Sequence, residues 1–166
     1  MNKIQFTTLD TTTVSTSDRG LNYGDGFFTT AKIVDGAIEF WPLHCERLRH
    51  CQERLLFPEL DLAHLHHQLL SLIDGCQLGV LKVVITRGVG GRGYSAPENP
   101  QPNAFISISP FPEHYAAWQH NGISLAHAQT RLGLQPLFAG LKTLNRLEQV
   151  MIKAEIGQTG TDDVLV

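Results

Sequence analysis

The chain has 166 residues, enough for one ordinary domain or for one small domain and the beginning of another. Hydrophobic residues make up 42% and charged ones 17%, which excludes a disordered or highly charged polypeptide. The formal net charge of -3 argues against a general nucleic-acid binder, and no apolar run is long enough to cross a bilayer.

Met1 leads into polar, Thr-rich sequence rather than a signal peptide. Phe27 to Ile33 reads as a strand, because β-branched and aromatic residues follow the turn-rich NYGDG. Within it Phe28 and Thr30 share one face, and Phe27 and Thr29 the other. If the Phe28 face is core, Thr30 either bonds backbone or faces a ligand. Asp35-Gly36 signals a hairpin, with Ala37 to Trp41 as the returning strand.

Pro42 suits the first turn of a helix that continues to Phe57, with Leu48, Cys51 and Leu55 at helical spacing. Arg47 falls at the edge of this stripe, beside His44 and Cys51. An arginine there either snorkels to water or holds an anion such as a phosphate, which its planar fork suits. Pro58 ends the helix. A second one is predicted from Asp61 to Asp74, with Leu62, Leu65, Leu69 and Ile73 on one face and Gly75 as its stop. His64, His66 and His67 crowd this stretch without a Cys or carboxylate at ligand spacing, so no metal site is expected. Cys45, Cys51 and Cys76 are odd in number and lack CxxC spacing, which points to a reducing, cytoplasmic setting.

Val80 to Thr86 is a strand and Phe105 to Ser109 its expected partner. Between them, Gly88, Gly90 and Gly93 satisfy G-x-G-x-x-G, but the proline-rich SAPENPQPN that follows cannot open the helix a dinucleotide site needs. There remains a glycine loop carrying Arg87, Arg92 and Tyr94. It is either a carboxylate-gripping loop or a solvated hairpin tip.

Pro110 to Gly122 reads as a connection, Ile123 to Gln129 as a strand, and Leu144 to Ile156 as a helix with Leu144, Leu147, Met151 and Ala154 buried. Lys142 stands just before or inside the first turn of that helix. The helix dipole and burial would both disfavour an ammonium there, leaving either a reactive amine or an ordinary exposed lysine. Asp163 to Val166 reads as a buried strand with nothing after it to cover it, so the second unit is expected to be incomplete.

Four stretches together resemble fold-type IV pyridoxal-phosphate enzymes, and among them the aminodeoxychorismate lyases of folate synthesis. They are DRGLNYGDGFFTTAKIVDG, HCERLRHCQERL, GVLKVVITRGVGGRGYS and RLGLQPLFAGLKTLNRLEQV. The H-x-x-R-L and GLKTLNRLEQ elements are the most specific. The resemblance implies an α/β (α+β) fold with a complete small N-terminal domain, residues 1–115, and the start of a larger one, residues 120–166. It implies pyridoxal 5'-phosphate as cofactor, Lys142 as the lysine that binds it covalently and shuttles protons, and Arg47 as the phosphate anchor. Thr30 would face the substrate and deliver a proton, with Phe28 beside it. Arg92 and Tyr94 would lie in the loop used against a substrate carboxylate, and Asn145 would support the lysine.

The implied reaction turns aminodeoxychorismate into 4-aminobenzoate and pyruvate, in a site between the domains of a homodimer. A branched-chain or D-amino-acid transaminase of the same fold is the nearest alternative. An inactive chain serving at most as an interaction module is the other. Enzymes of this kind continue past the position of Val166 and supply there a glutamate facing the pyridine nitrogen and further phosphate donors.

Overall fold

The computed structural model describes residues 5–8, for their backbone, and residues 13–166. It divides into two compact units, one of residues 1–111 with 140–144, the other of residues 112–139 with 145–166. The segment holding Lys142 therefore belongs to the first unit, although it follows most of the loop sequence of the second.

The first unit is built on a mixed five-stranded sheet. In chain order its elements are β1 (Gln5–Thr8), α1 (Arg19–Tyr23), β2 (Gly26–Val34), β3 (Ala37–Ile38), α2 (Trp41–Arg54), α3 (Leu62–Leu72), β4 (Leu78–Thr86) and β5 (Asn103–Pro110). The strand order is β1-β5-β4-β2-β3; β1 runs parallel to β5, and the other neighbours are antiparallel. The long β2 and β4 pair from Gly26↔Thr86 to Val34↔Leu78.

Strand alternation decides which face is core. Phe27, Thr29, Ala31 and Ile33 of β2 are buried, as are Leu81, Val83 and Ile85 of β4 and Ala104 and Ile106 of β5. All of them but Thr29 join Leu48 and Cys51 of α2 and Leu65 and Leu69 of α3 in one hydrophobic cluster. Each Val, Leu, Ile or Phe side chain among them contributes about 1.5–3 kcal/mol by leaving water. The predicted stripe of the second helix is realised: Leu62, Leu65, Leu69 and Ile73 are all buried, and Asp61 caps α3 by accepting from the His64 N–H at 2.9 Å.

The face carrying Phe28 is thus not the core face, and Thr30 is exposed upon it. Phe28, Thr30, Lys32, Lys82, Val84, Phe105 and Ser107 lie on this open side, with Thr30 opposite Lys82 and Lys82 opposite Ser107.

The second unit contains α4 (His114–Asn121), β6 (Leu125–His127), α5 (Leu147–Thr159) and β7 (Asp163–Leu165). The residues around α4 read as a plain connection in the sequence, yet they form a helix that buries none of its residues. The C-terminal strand is not left unpaired, for β7 runs parallel to β6 from Leu125↔Asp163 to His127↔Leu165. Helix α5 is anchored by carboxylates: Glu155 accepts from the backbone of Gln129 and Thr130, at 2.7 and 2.8 Å, and Glu148 from Gly133 at 2.9 Å. Its buried residues are Ile152 and Ile156, whereas Leu147 and Met151 are exposed, so the predicted stripe is the wrong one. No helix among the described residues is long and apolar enough to cross a membrane.

Candidate active site

β2 organises the site. One of its edges is taken by β4 throughout. The other is taken near its end by β3, through Ile33↔Ile38 and Val34↔Ala37, and near its start by residues 142–144. There the Phe28 N–H donates to the Lys142 carbonyl at 2.9 Å, and the Leu144 N–H donates to the Gly26 carbonyl at 3.0 Å. Phe27 and Thr143 form an isolated antiparallel bridge. Gly26 permits this approach, because a Cβ at that position would strike the Ile85 carbonyl and the Leu144 side chain.

Pairing with the strand fixes Lys142 on the open face. Its Nζ stands 4.6 Å from the centroid of the Phe28 ring, a cation–π arrangement. The lysine is half-buried and is not part of α5, which begins only at Leu147. The β2 edge, not the helix, positions it.

Arg47 approaches the same strand from the opposite side. It projects from α2, and its Nη1 donates to Thr29 Oγ1 at 3.3 Å. His44, one helical turn earlier, places Nδ1 2.7 Å from the same hydroxyl. In the tautomer of neutral His44 that carries its ring proton on Nε2, the Thr29 O–H donates to Nδ1 while its oxygen accepts from Arg47. Burial, and then the Arg47 cation, push the His44 imidazole below its ordinary range, and a backbone hydrogen bond to Glu39 only partly opposes them. Among the described residues Arg47 pairs with no carboxylate, and it is exposed.

Arg47 and Lys142 therefore address consecutive residues of one strand, Thr29 and Phe28, whose Cα atoms are about 3.8 Å apart. Thr30 follows on the open face, beside Lys82, whose Nζ lies 5.3 Å from the same Phe28 ring.

The glycine loop divides its arginines into two kinds. Arg87 is buried and committed: Nε reaches Asp25, while Nη1 and Nη2 donate to the carbonyls of Leu56 and Leu55 at 3.0 and 2.9 Å, where α2 ends. Arg92 and Tyr94 are exposed, Tyr94 at 90%. Their loop is nevertheless pinned through its backbone. Arg19 is 4% exposed and donates to the carbonyls of Gly93, Ser95 and Tyr94 at 3.0–3.1 Å, with Gly90 at 3.4 Å. Asp25 steadies it, accepting from Arg19 Nε at 2.8 Å. Burial tends to raise the Asp25 carboxyl, but hydrogen bonds and charge from Arg87 and Arg19 outweigh that and hold it below its ordinary range. Asp18 ties the opposite side, accepting from Gly20 N–H, Thr86 Oγ1 and Asn103 Nδ2 at 2.7–2.9 Å.

Sequence reasoning missed Arg19, Asp25, Thr29 and Lys82. For Lys82 a signal existed: a lysine interrupts the apolar strand VLKVVIT on the face opposite Leu81 and Val83. For Thr29 and Asp25 it did not, because their partners are remote in sequence. Asn145 is exposed and lies with the second unit.

The sequence model of the amino-transferase class IV family matches residues 26–166. The aminodeoxychorismate lyase of Vibrio harveyi is 42% identical over 157 residues, which are 95% of this chain and 58% of that protein. The crystal structure of the 4-amino-4-deoxychorismate lyase of Pseudomonas aeruginosa superposes with a TM-score of 0.83 and 40% identity, covering 94% of this chain and 57% of the other. The pyridoxal-phosphate-bound form of a hypothetical aminotransferase from Mycobacterium tuberculosis shares the fold, with a TM-score of 0.76 and 21% identity over 95% of this chain and 57% of that one. The chain thus spans little more than half the length of these relatives.

Proposed function

Because the chain belongs to the amino-transferase class IV family, we propose that it forms the cofactor-holding part of a pyridoxal-phosphate-dependent lyase acting on aminodeoxychorismate. The observation that carries this is the approach of Lys142 and Arg47 to adjacent residues of β2. An amine and an anion-binding guanidinium at consecutive residues of β2 suit a ligand with an aldehyde at one end and a phosphate at the other. The 42% identity to the Vibrio lyase supports the choice of substrate.

Pyridoxal phosphate, when bound, supplies an aldehyde that takes up amines and a conjugated ring that accepts electrons. The protein's residues do the rest. Arg47 holds the phosphate with the N–H groups left over from Thr29, and Thr29 and His44 fix the direction of its fork. Lys142 Nζ would hold the aldehyde end, and the same amine is the group that would take the proton from the amine-bearing carbon of the substrate. Thr30, on the same face, hands a proton through Oγ1 to the methylene of the departing enolpyruvyl group, and Phe28 supplies the floor beneath the reacting atoms. Elimination leaves an aromatic amine and pyruvate. Arg92 and Tyr94 act from the pinned loop on a carboxylate, and the working enzyme is a cytoplasmic homodimer. Residues 1–115 serve as the small domain and residues 120–166 as the beginning of the larger one.

The test is incubation with pyridoxal phosphate, borohydride reduction and peptide mass spectrometry. Cofactor mass on the Lys142 peptide, absent in Lys142→Ala, is expected. Pyruvate release from aminodeoxychorismate without any keto-acid acceptor separates the lyase from a transaminase. No cofactor mass at Lys142 with excess pyridoxal phosphate would refute the assignment.

A further inference from the structure

Lys82 lies in the middle of β4 and points to the open side of the sheet. An ammonium in the centre of a strand that is otherwise Leu, Val and Ile but for Gly79 and Thr86 has little to gain there from packing. Its neighbours do not neutralise it. Among the described residues it forms no ion pair, whereas Lys32, on the same side, is paired with Glu39 at 3.6 Å. Across the sheet it faces Thr30 on one side and Ser107 on the other, two hydroxyl residues in one row. The row next to it is Phe28, Val84 and Phe105.

The Phe28 ring carries two amines, Lys142 at 4.6 Å and Lys82 at 5.3 Å from its centroid. One flank of this patch is aromatic and apolar, and the other offers hydroxyls and a positive charge. That pattern fits a flat, unsaturated ring bearing a carboxylate: the ring on Phe28 and the carboxylate on Lys82. We infer that Lys82 is a substrate-binding residue, which holds a carboxylate of the unsaturated amino acid whose amine is delivered to Lys142. The inference rests on the role proposed for Lys142 and adds what orients the substrate there.

The charge fixes the direction of approach. A cyclohexadiene carboxylate anchored at Lys82 and lying along Phe28 presents its opposite end towards Lys142. Thr30, directly across from Lys82, lies in the hydroxyl-bearing row next to the ring.

Chorismate is the appropriate probe, since it has the ring and both carboxylates of aminodeoxychorismate but a hydroxyl in place of the amine. It cannot react at Lys142. Its affinity for the full chain, measured by calorimetry, is expected to fall about tenfold in Lys82→Met, the worth of one charge-assisted hydrogen bond. In Lys82→Arg it should change by less than about threefold. Lys32→Met is the control for general surface charge and should leave affinity unaltered. Circular dichroism verifies folding, and the conservative Lys82→Arg keeps the test informative if the methionine variant is unstable.

Equal affinity in wild type and Lys82→Met would overturn the inference. So would an equal loss in Lys32→Met, or no chorismate binding by the wild type at millimolar concentration. Borohydride trapping of the cofactor at Lys142 is read in parallel. Trapping without a Lys82 effect refutes the inference and keeps the proposed function. A Lys82 effect without trapping supports the carboxylate site and refutes the role of Lys142.

Discussion

Arg87 sets its Nε against both carboxylate oxygens of Asp25, at 3.0 and 2.8 Å. The same carboxylate receives Arg19 Nε at 2.8 Å. Asp25 thereby joins two systems: Arg19 with the carbonyls of the glycine loop, and Arg87 with the carbonyls that end α2. Removing the charge leaves two largely buried guanidinium groups without their counter-ion. Asp25→Asn is expected to lose about 3 kcal/mol of stability in urea denaturation. Loss of under about 1 kcal/mol would class the cluster with ordinary surface pairs.

The same carboxylate governs the acid side of the stability curve. Its folded pKa lies below the unfolded one. The stabilisation is therefore complete above the unfolded value and disappears as pH falls through the folded one. Wild type should lose stability steeply below pH of about 4, and Asp25→Asn should show a shallower slope there. Parallel slopes in the two proteins would rule Asp25 out as the responsible group.

Much of this frame was legible in the sequence, and the reasons differ by element. β2, β4, β5, α2 and α3 follow from periodicity, because each has one strongly apolar face. The first residues of β2 do not decide its inward face, since Phe27 with Thr29 and Phe28 with Thr30 look alike. Two residues further on the ambiguity ends: Ala31 and Ile33 continue the buried row, and Lys32 the open one. Helix α4 has no apolar stripe and buries nothing, so periodicity could not reveal it. Helix α5 has two apolar stripes, and only packing selects Ile152 and Ile156 over Leu147 and Met151. Lys142 and Arg47 stood out as residues, but their approach to consecutive residues of β2 depends on residues 142–144 returning to β2 from far along the chain.

Gly88 is required by the loop for two independent reasons. Its φ is +84°, and a Cβ there would collide with the Gln101 carbonyl oxygen, which is backbone and cannot rotate away. The Gly88 carbonyl also accepts the Arg19 N–H at 3.0 Å. Gly88→Ala is expected to cost about 2 kcal/mol or more and to raise amide exchange across residues 88–95. Gly93, whose φ is +58° but whose Cβ would meet nothing, should cost only about 1 kcal/mol when changed to Ala. Similar losses in both variants would contradict the steric argument.

His44 gives a second, separate pH dependence. Its imidazole titrates below the ordinary histidine range in the folded chain. Its contribution is fully present above the unfolded pKa and declines as pH falls through the lower, folded one. Between pH of about 7 and 5 the midpoint of thermal unfolding should drop in wild type, and less in His44→Asn. Protonated His44 would also no longer accept the Thr29 hydroxyl, so ordering of Arg47 should weaken over the same window. An NMR titration that follows the His44 ring and the Arg47 Nε resonance reads both events, which should share one midpoint.

Arg47 offers the sharpest separation of roles. If it holds a phosphate, its replacement must discriminate between ligands that differ only in that group. Arg47→Gln keeps a donor towards Thr29 but removes the charge and the fork. Affinity for pyridoxal phosphate is expected to fall about tenfold or more, consistent with loss of charge-assisted hydrogen bonds worth about 1.5–3 kcal/mol. Affinity for pyridoxal, which has the aldehyde and ring but no phosphate, should be unchanged, because Lys142 approaches β2 from the other face. Lys142→Ala should weaken both ligands alike. Equal losses for the two ligands in Arg47→Gln would show that Arg47 acts by shaping α2 and β2, and the phosphate would have to be held elsewhere.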